Sequence, residues 1–258
     1  MRLLRNVPIL AWDGTYEFPP PETASEEGVV CAGGNLSPGV LLSAYRQGLF
    51  PWFGEGDPIL WWSPDPRFAI LPATFHVPAS AKRLLNEGRF RITVDREFSR
   101  VIRLCAQIER RGQPGTWITD SMIRAYEKLH AEGFAHSVEA WLGEELAGGL
   151  YGVSLGAAFF GESMFSLSSG ASRAAFLTFA SWLFDSGFRL IDSQVHTDYV
   201  AGMGGVDLPR ERYFSILRDA LSEGTRKGDW SAPKDNAESR HRIFSAFPLQ
   251  WELGQKGR

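Results

Sequence analysis

HSVEAWLGEELAGGLYGVSLGAAFFGESMFS, residues 136 to 166, sets the fold of this chain. Phe134, His136, Val138 and Ala140 alternate, as do Leu146, Leu150 and Gly152, with Gly143-Glu144 between the two runs and Leu155-Gly156 after them. Alternation broken by such dipeptides predicts an antiparallel meander of about three strands. Glycines 148, 149, 152, 156 and 161 are costly inside strands. They are expected at turns and bulges, or where a ligand or another backbone comes close. From Leu146 onward the run is apolar except for small hydroxyl residues and one acid, Glu162, which needs a reason to be there.

The 258 residues suffice for a real core, as one large domain or two unequal ones. Hydrophobic and charged shares of 44% and 22% are ordinary, but nine Trp, eighteen Phe and six Tyr raise the aromatic share to 13%, which suits pockets for flat or apolar ligands. No apolar run approaches the ~20 residues that span a bilayer. The opening MRLLRNVPILAWDG has too short an apolar core for a signal peptide, so a cytoplasmic protein with no membrane partner is expected. Cys31 and Cys105 lack metal-ligand spacing and sit in apolar contexts that suit reduced, buried thiols.

A formal net charge of −3 argues against a protein that coats nucleic acid, yet the charge is uneven. Between residues 82 and 111, nine basic groups (Lys82, Arg83, Arg89, Arg91, Arg96, Arg100, Arg103, Arg110, Arg111) face four acidic ones (Glu87, Asp95, Glu97, Glu109), a local charge of +5. On a helix predicted from Asp95 to Gln107, Arg96, Arg100 and Arg103 share one face, opposite Phe98, Val101, Cys105 and Ile108. Such a ridge is either a solvated face or a local phosphate-binding patch, sized for one end of an RNA.

The first ~35 residues read as loop, with Phe18-Pro19-Pro20-Pro21 and the acidic run from Glu22 to Glu27 as breakers. A helix is predicted from Ser37, with Pro38 in its first turn, to Gly48. Residues 49 to 67, LFPWFGEGDPILWWSPDPR, are irregular because of their prolines; Trp52, Trp61 and Trp62 either seal a domain boundary or wall a cleft. Thr119 caps a second helix that carries Met122, Tyr126 and Leu129 on one face and stops at Gly133. A long apolar helix runs from Ser172 to Ser186, and FRLIDSQV (188 to 195) reads as a strand. Strand alternation puts Phe188, Leu190, Asp192 and Gln194 on one face, pairing an acid with an amide, unless Asp192 merely caps the next helix.

Several familiar chemistries lack their signatures. Gly161-Glu162-Ser163-Met164-Phe165 misses the nucleophile elbow, and the long helix begins only later. The histidines at 76, 130, 136, 196 and 241 show no zinc spacing, and no glycine loop for phosphates or dinucleotides occurs. The substrate must therefore arrive already activated.

FPWF (50 to 53), WWSPDPR (61 to 67), GTWIT (115 to 119), AY-x-x-LH (125 to 130), AHSVE-x-W (135 to 141), GG-x-YGV (148 to 153), FFGESMFS (159 to 166) and ID-x-Q (191 to 194) together resemble the leucyl/phenylalanyl-tRNA protein transferase family. The resemblance runs in the family's order from about Ala32 to Phe214. It implies an α/β (α+β) fold: a small N-terminal domain (1 to 66), an acetyltransferase-like (GNAT-like) catalytic domain (67 to 222) and, outside the resemblance, a polar C-terminal tail (223 to 258), partly mobile. It implies transfer of leucine or phenylalanine from leucyl- or phenylalanyl-tRNA to proteins that begin with arginine or lysine, marking them for N-degron degradation. No metal and no cofactor are expected, and the chain is expected to act as a monomer.

Residue by residue, the resemblance gives Asp192 and Gln194 the catalytic positions, with the proton acceptor open between them. An aminoacyl ester needs only a neutral α-amine brought to its carbonyl and a stabilised oxyanion. Gln194 would orient the amine, and Asp192 would polarise Gln194 or draw the proton through it. Glu162 suits a cation, either an Arg or Lys side chain or an α-ammonium. Trp52, Trp117, Tyr126, Leu150, Phe159, Met164 and Phe179 match the family's pocket for the aminoacyl group. Lys82, Arg83, Arg89, Arg91, Arg96, Arg100 and Arg103 would hold the tRNA acceptor stem through phosphates. The chain departs from the family's pattern at Tyr199, where histidine is usual, at Gly202, where serine is usual, and at Arg173, where lysine is usual.

Overall fold

The computed structural model describes residues 2 to 108 and 116 to 231, and is mixed α/β with two sheets. In chain order the elements are β1 (Arg2–Leu4), β2 (Val29–Gly33), α1 (Pro38–Arg46), β3 (Phe50–Pro51), β4 (Leu60–Trp62), β5 (Arg67–Ile70), α2 (Ala79–Asn86), β6 (Arg91–Val94) and α3 (Phe98–Gln107). There follow α4 (Asp120–Ala131), β7 (Ala135–Leu142), β8 (Glu145–Leu155), β9 (Ala158–Ser166), α5 (Ala171–Asp185), β10 (Leu190–Gln194), α6 (Asp198–Ala201), β11 (Gly205–Leu208) and α7 (Arg210–Leu221).

The predicted meander is β7, β8 and β9, the centre of a seven-stranded sheet ordered β11-β5-β10-β9-β8-β7-β6. Neighbours in this sheet run antiparallel except β9 and β10, which are parallel and joined through α5. A smaller sheet, ordered β1-β2-β4-β3, comes from residues before 63. Two apolar clusters cover the faces of the large sheet. One gathers Tyr45, Trp61, Tyr126, Tyr151, Phe160 and Tyr213, and so joins the small sheet, α1, α4 and α7 to one face. The other places Phe159, Leu177, Phe179, Leu183 and Ile191 between α5 and the opposite face. Each such buried side chain contributes about 1.5 to 3 kcal/mol, so this double core fixes the central strands.

Local sequence explains most boundaries. Pro38 opens α1, whose Val40, Leu41, Leu42, Ala44 and Tyr45 are all buried, making it a core helix. The Thr119 Oγ1 accepts the Met122 N–H, as its cap position predicts. Glycines of the meander serve close approach by the protein itself: a Cβ on Gly148 would stand 2.6 Å from that of Ala171 at the start of α5, and one on Gly152 only 2.2 Å from the Phe160 carbonyl.

Three expectations change. The basic helix α3 starts at Phe98 instead of Asp95, because Asp95 is buried at φ +56° and spends its carboxylate on His136 Nδ1, the Ser137 N–H and the Trp230 N–H. Arg96 therefore precedes the helix, and only Arg100 and Arg103 lie on it. Phe188 precedes β10 and packs toward Trp230, while Leu190 joins the other cluster, so the two do not share a face. Lastly, residues 223 to 231 are docked: Trp230 is buried against His136, Phe179 and Trp182, and Thr225 Oγ1 accepts the Gly156 N–H. The rest of the C-terminal tail, from 232, lies outside the described residues, as do Arg110 and Arg111.

Candidate active site

Two bulges on adjacent strands build the site. Between β8 and β9 the register passes from Tyr151↔Ser163 to Gly152↔Gly161, leaving Glu162 as the extra residue. Between β10 and β5 it passes from Asp192↔Ala69 to Gln194↔Phe68, leaving Ser193 extra, and Gln194 adopts φ +67°. A bulge re-aims the side chains beside it. Here the two bulges bring Glu162 and Gln194 face to face, just beyond Asp192↔Phe160, where the β9 and β10 pairing ends. The strict alternation expected along β10 thus fails at Gln194.

Glu162 is 7% exposed and accepts three hydrogen bonds: Tyr45 OH to Oε1 (2.7 Å), Gln194 Nε2 to Oε1 (2.8 Å) and Tyr126 OH to Oε2 (2.9 Å). The Tyr45 and Tyr126 hydroxyls also touch each other. Burial pushes the carboxyl up to about 7, against the pull of Tyr45, Tyr126 and Gln194, with the Asp192 charge adding to the rise. Burial, then the Glu162 charge, holds both tyrosine hydroxyls well above their ordinary range, so they remain neutral donors. Because Gln194 Nε2 is committed to Glu162, its amide oxygen is left to accept.

Asp192 is fully buried and saturated. Arg67 grips it in a fork, Nε to Oδ1 (2.9 Å) and Nη2 to Oδ2 (2.8 Å), while Tyr213 OH donates to Oδ2 (2.8 Å) and the Gln194 N–H to Oδ1 (2.9 Å). Arg67 is itself buried, donates Nη1 to the Gly48 carbonyl and lies over the rings of Phe50 and Tyr213. Burial opposes its charge, but Asp192 and Tyr213 more than offset this and raise its pKa. Asp192 is therefore not a helix cap, and its hydrogen bond to Gln194 is to the backbone N–H, while the side-chain amide turns to Glu162. Asp192 fixes the Gln194 backbone.

A cavity of about 490 Å³ opens beside Glu162, a size that suits a small ligand. Leu150, Phe159 and Met164 line it as the sequence suggested, together with Phe176, Ile191 and Tyr199. Phe179 stands behind Phe159, edge to face at 4.9 Å, and Tyr126 lies under Glu162. Trp52 and Trp117 do not line this cavity; Trp52 is half-buried against Trp62, with ring centroids 5.2 Å apart. Tyr199 reaches Ser172 Oγ at 3.4 Å, and the Arg173 guanidinium lies over its ring. Gly202 ends α6, away from the lining.

Tyr45, Arg67, Tyr213, Phe176 and Ile191 escaped the sequence reading. Arg67 was visible only as the last letter of WWSPDPR, because its meaning depends on an acid 125 positions later. The basic residues Lys82, Arg83, Arg89, Arg91, Arg96, Arg100 and Arg103 are all exposed. Arg83 pairs with Glu87 and Arg103 with Glu127, while Arg89 and Arg91 lie over Phe90 and Trp141. Among the described residues, no helix is long and apolar enough to cross a membrane.

The sequence that builds this site matches known proteins. Residues 69 to 218 match the family model described as leucyl/phenylalanyl-tRNA protein transferase, and residues 34 to 65 match that enzyme's N-terminal domain. The leucyl/phenylalanyl-tRNA–protein transferase of Myxococcus xanthus is 54% identical over 214 residues, 83% of this chain and 92% of that one. Those of Anaeromyxobacter sp. (strain K) and Syntrophus aciditrophicus are 49% and 47% identical, covering 87% and 90% of this chain and 96% and 97% of their own. These matches define an aminoacyltransferase. The chain belongs to the leucyl/phenylalanyl-tRNA protein transferase family.

Proposed function

We propose that this protein transfers leucine or phenylalanine from aminoacyl-tRNA to the α-amino group of proteins beginning with arginine or lysine, in the cytoplasm and as a monomer, and so marks them for N-degron degradation. The observation that carries the reading is the meeting of a mostly apolar cavity with Glu162, whose carboxylate Gln194 holds. The donor's side chain enters between Leu150, Phe159 and Met164, backed by Phe179. One methylene in such a pocket discriminates by only about 1 to 3 kcal/mol, so leucine and phenylalanine are both accepted. Tyr126 supports the pocket from beneath by holding Glu162, whereas Trp52 and Trp117, which the resemblance assigns to the same pocket, lie outside its lining. Lys82, Arg83, Arg89, Arg91, Arg96, Arg100 and Arg103 hold its phosphates.

Residues 1 to 66 act as a small N-terminal domain that lends Tyr45 and the Gly48 carbonyl to the site of the 67 to 222 catalytic domain. The ester is already activated, so positioning supplies most of the rate. Gln194 Oε1 orients the acceptor amine. Asp192 is a positioning residue that, clamped by Arg67 and Tyr213, fixes the Gln194 turn. The negative Glu162 draws a cationic chain end. The test is to incubate the protein with leucyl-tRNA and peptides differing only at residue one. Transfer to Arg- and Lys-led peptides but not to Asp- or Glu-led ones is expected; no transfer to any refutes the reading.

A further inference from the structure

The groups around the acceptor amine are not equally able to take its proton. All polar contacts of Asp192 are spent: Arg67 and Tyr213 hold Oδ2, and Arg67 and the Gln194 N–H hold Oδ1. With about four acceptor sites on a carboxylate, none is left open on Asp192 for an amine N–H. The neutral Gln194 amide is a weak base, and its Nε2 donates to Glu162. Glu162 remains. A carboxylate offers about four acceptor sites; Tyr45 and Gln194 occupy those of Oε1, and Tyr126 takes one of those on Oε2. The open site on Oε2 belongs to a residue that lines the cavity. One N–H fits there, whereas a bidentate guanidinium does not.

We infer that Glu162, through Oε2, is the catalytic proton acceptor of the transfer, with Gln194 orienting the amine and Asp192 serving only to position Gln194. This inference rests on the reaction proposed above. The neutral α-amine attacks the ester carbonyl, forming the C–N bond, and its N–H proton passes to Oε2. The tetrahedral centre then collapses, breaking the bond to the ribose oxygen of the tRNA. Glu162 returns the proton to that oxygen, which leaves as a hydroxyl, and the carboxylate is restored.

The carboxyl's rise to about 7 places it where a general base works best near neutral pH. The groups that face it are Tyr45 from α1, Tyr126 from α4, Asp192 and Gln194 from β10 and, at longer range, Arg67 from β5, with Tyr151 from β8 behind the two tyrosines. Tyr45 and Tyr126 stay neutral and Arg67 stays charged, so the charge change expected here near pH 7 is that of Glu162.

The test is the pH profile of kcat/KM for an Arg-led peptide with leucyl-tRNA. A free α-amine titrates near ~7.7 to 8. Wild type should therefore show two breaks, one near 7 and one near 8, with a slope approaching two below both. Glu162→Gln should lose the lower break, keep a slope of one and fall by about 10² to 10⁴ in kcat. A second variant guards against misfolding: Tyr126→Phe removes a hydrogen bond that stabilises the carboxylate, so the lower break should move to higher pH while the amine break stays. If Glu162→Gln keeps both breaks, if its defect lies only in the acceptor KM, or if Tyr126→Phe moves nothing, the inference is overturned while the transfer reaction stands. Absence of transfer by wild type at every pH would instead overturn the proposed function.

Discussion

Replacing Glu162 by glutamine should stabilise the protein at alkaline pH and not at acid pH. The carboxyl's pKa rises from 4.5 to about 7 on folding, which at ~1.4 kcal/mol per unit is a cost of about 3 kcal/mol for keeping it ionised in the folded state. The sign follows from linkage. A carboxyl whose pKa is raised on folding is bound more tightly by its proton in the native state, so its stabilising contribution is full below 4.5 and is lost as pH rises through about 7. Between pH 5 and pH 8 the wild-type protein should therefore lose about 2 to 3 kcal/mol relative to Glu162→Gln, or about 5 to 10 °C in Tm. Urea unfolding of both proteins at several pH values measures this directly. Other groups, His136 among them, titrate alike in both proteins and cancel in the difference. A difference that stays flat within about 0.5 kcal/mol across this range would refute the electrostatics assigned to the buried acid.

Arg67→Met should strand the Asp192 charge and cost about 3 to 5 kcal/mol in urea titrations, while Arg67→Met with Asp192→Leu should recover much of that stability but not activity. In tRNA binding at rising salt, Arg100→Ala should lower the slope of log K against log [salt] by about 0.7 to 0.9; because Arg103 is paired with Glu127, Arg103→Ala should change it less. Trp230→Ala should cost about 3 to 5 kcal/mol by removing the anchor of residues 223 to 231, with unfolding midpoints as the readout. Leu150→Met should cost less than about 1.5 kcal/mol and leave both leucyl and phenylalanyl donors active in parallel transfer assays.

Much of the scaffold was legible because its signals are local. Pro38, Thr119 and the glycine-marked turns at 143 and 156 act within a few residues of themselves, so α1, α4 and the β7 to β9 meander could be read directly. The candidate site was legible only in part. Glu162, Leu150, Phe159 and Met164 stood out as one acid in an apolar run, and they do meet around one cavity. The reading of β10 failed where alternation fails, since a bulge and a left-handed backbone at Gln194 have no marker in LIDSQ. Asp95 misled in the same manner: it stands where the amphipathic pattern of α3 begins and so reads as the start of that helix, yet its partners His136 and Trp230 lie 41 and 135 positions away. The tail seemed only polar because the value of Trp230 depends on Trp182 and Phe179, which no nearby residue announces.

The central claim is that transfer occurs where Glu162 and Gln194 meet, beside the Leu150, Phe159 and Met164 cavity. It is tested most directly by a crystal structure with a non-hydrolysable phenylalanyl-adenosine and an Arg-led peptide. The account predicts the phenyl ring among those three side chains and the peptide's α-nitrogen within about 2.6 to 3.2 Å of both Gln194 Oε1 and Glu162 Oε2. An aminoacyl group seated elsewhere, or an α-nitrogen out of reach of Glu162 and Gln194, would contradict it.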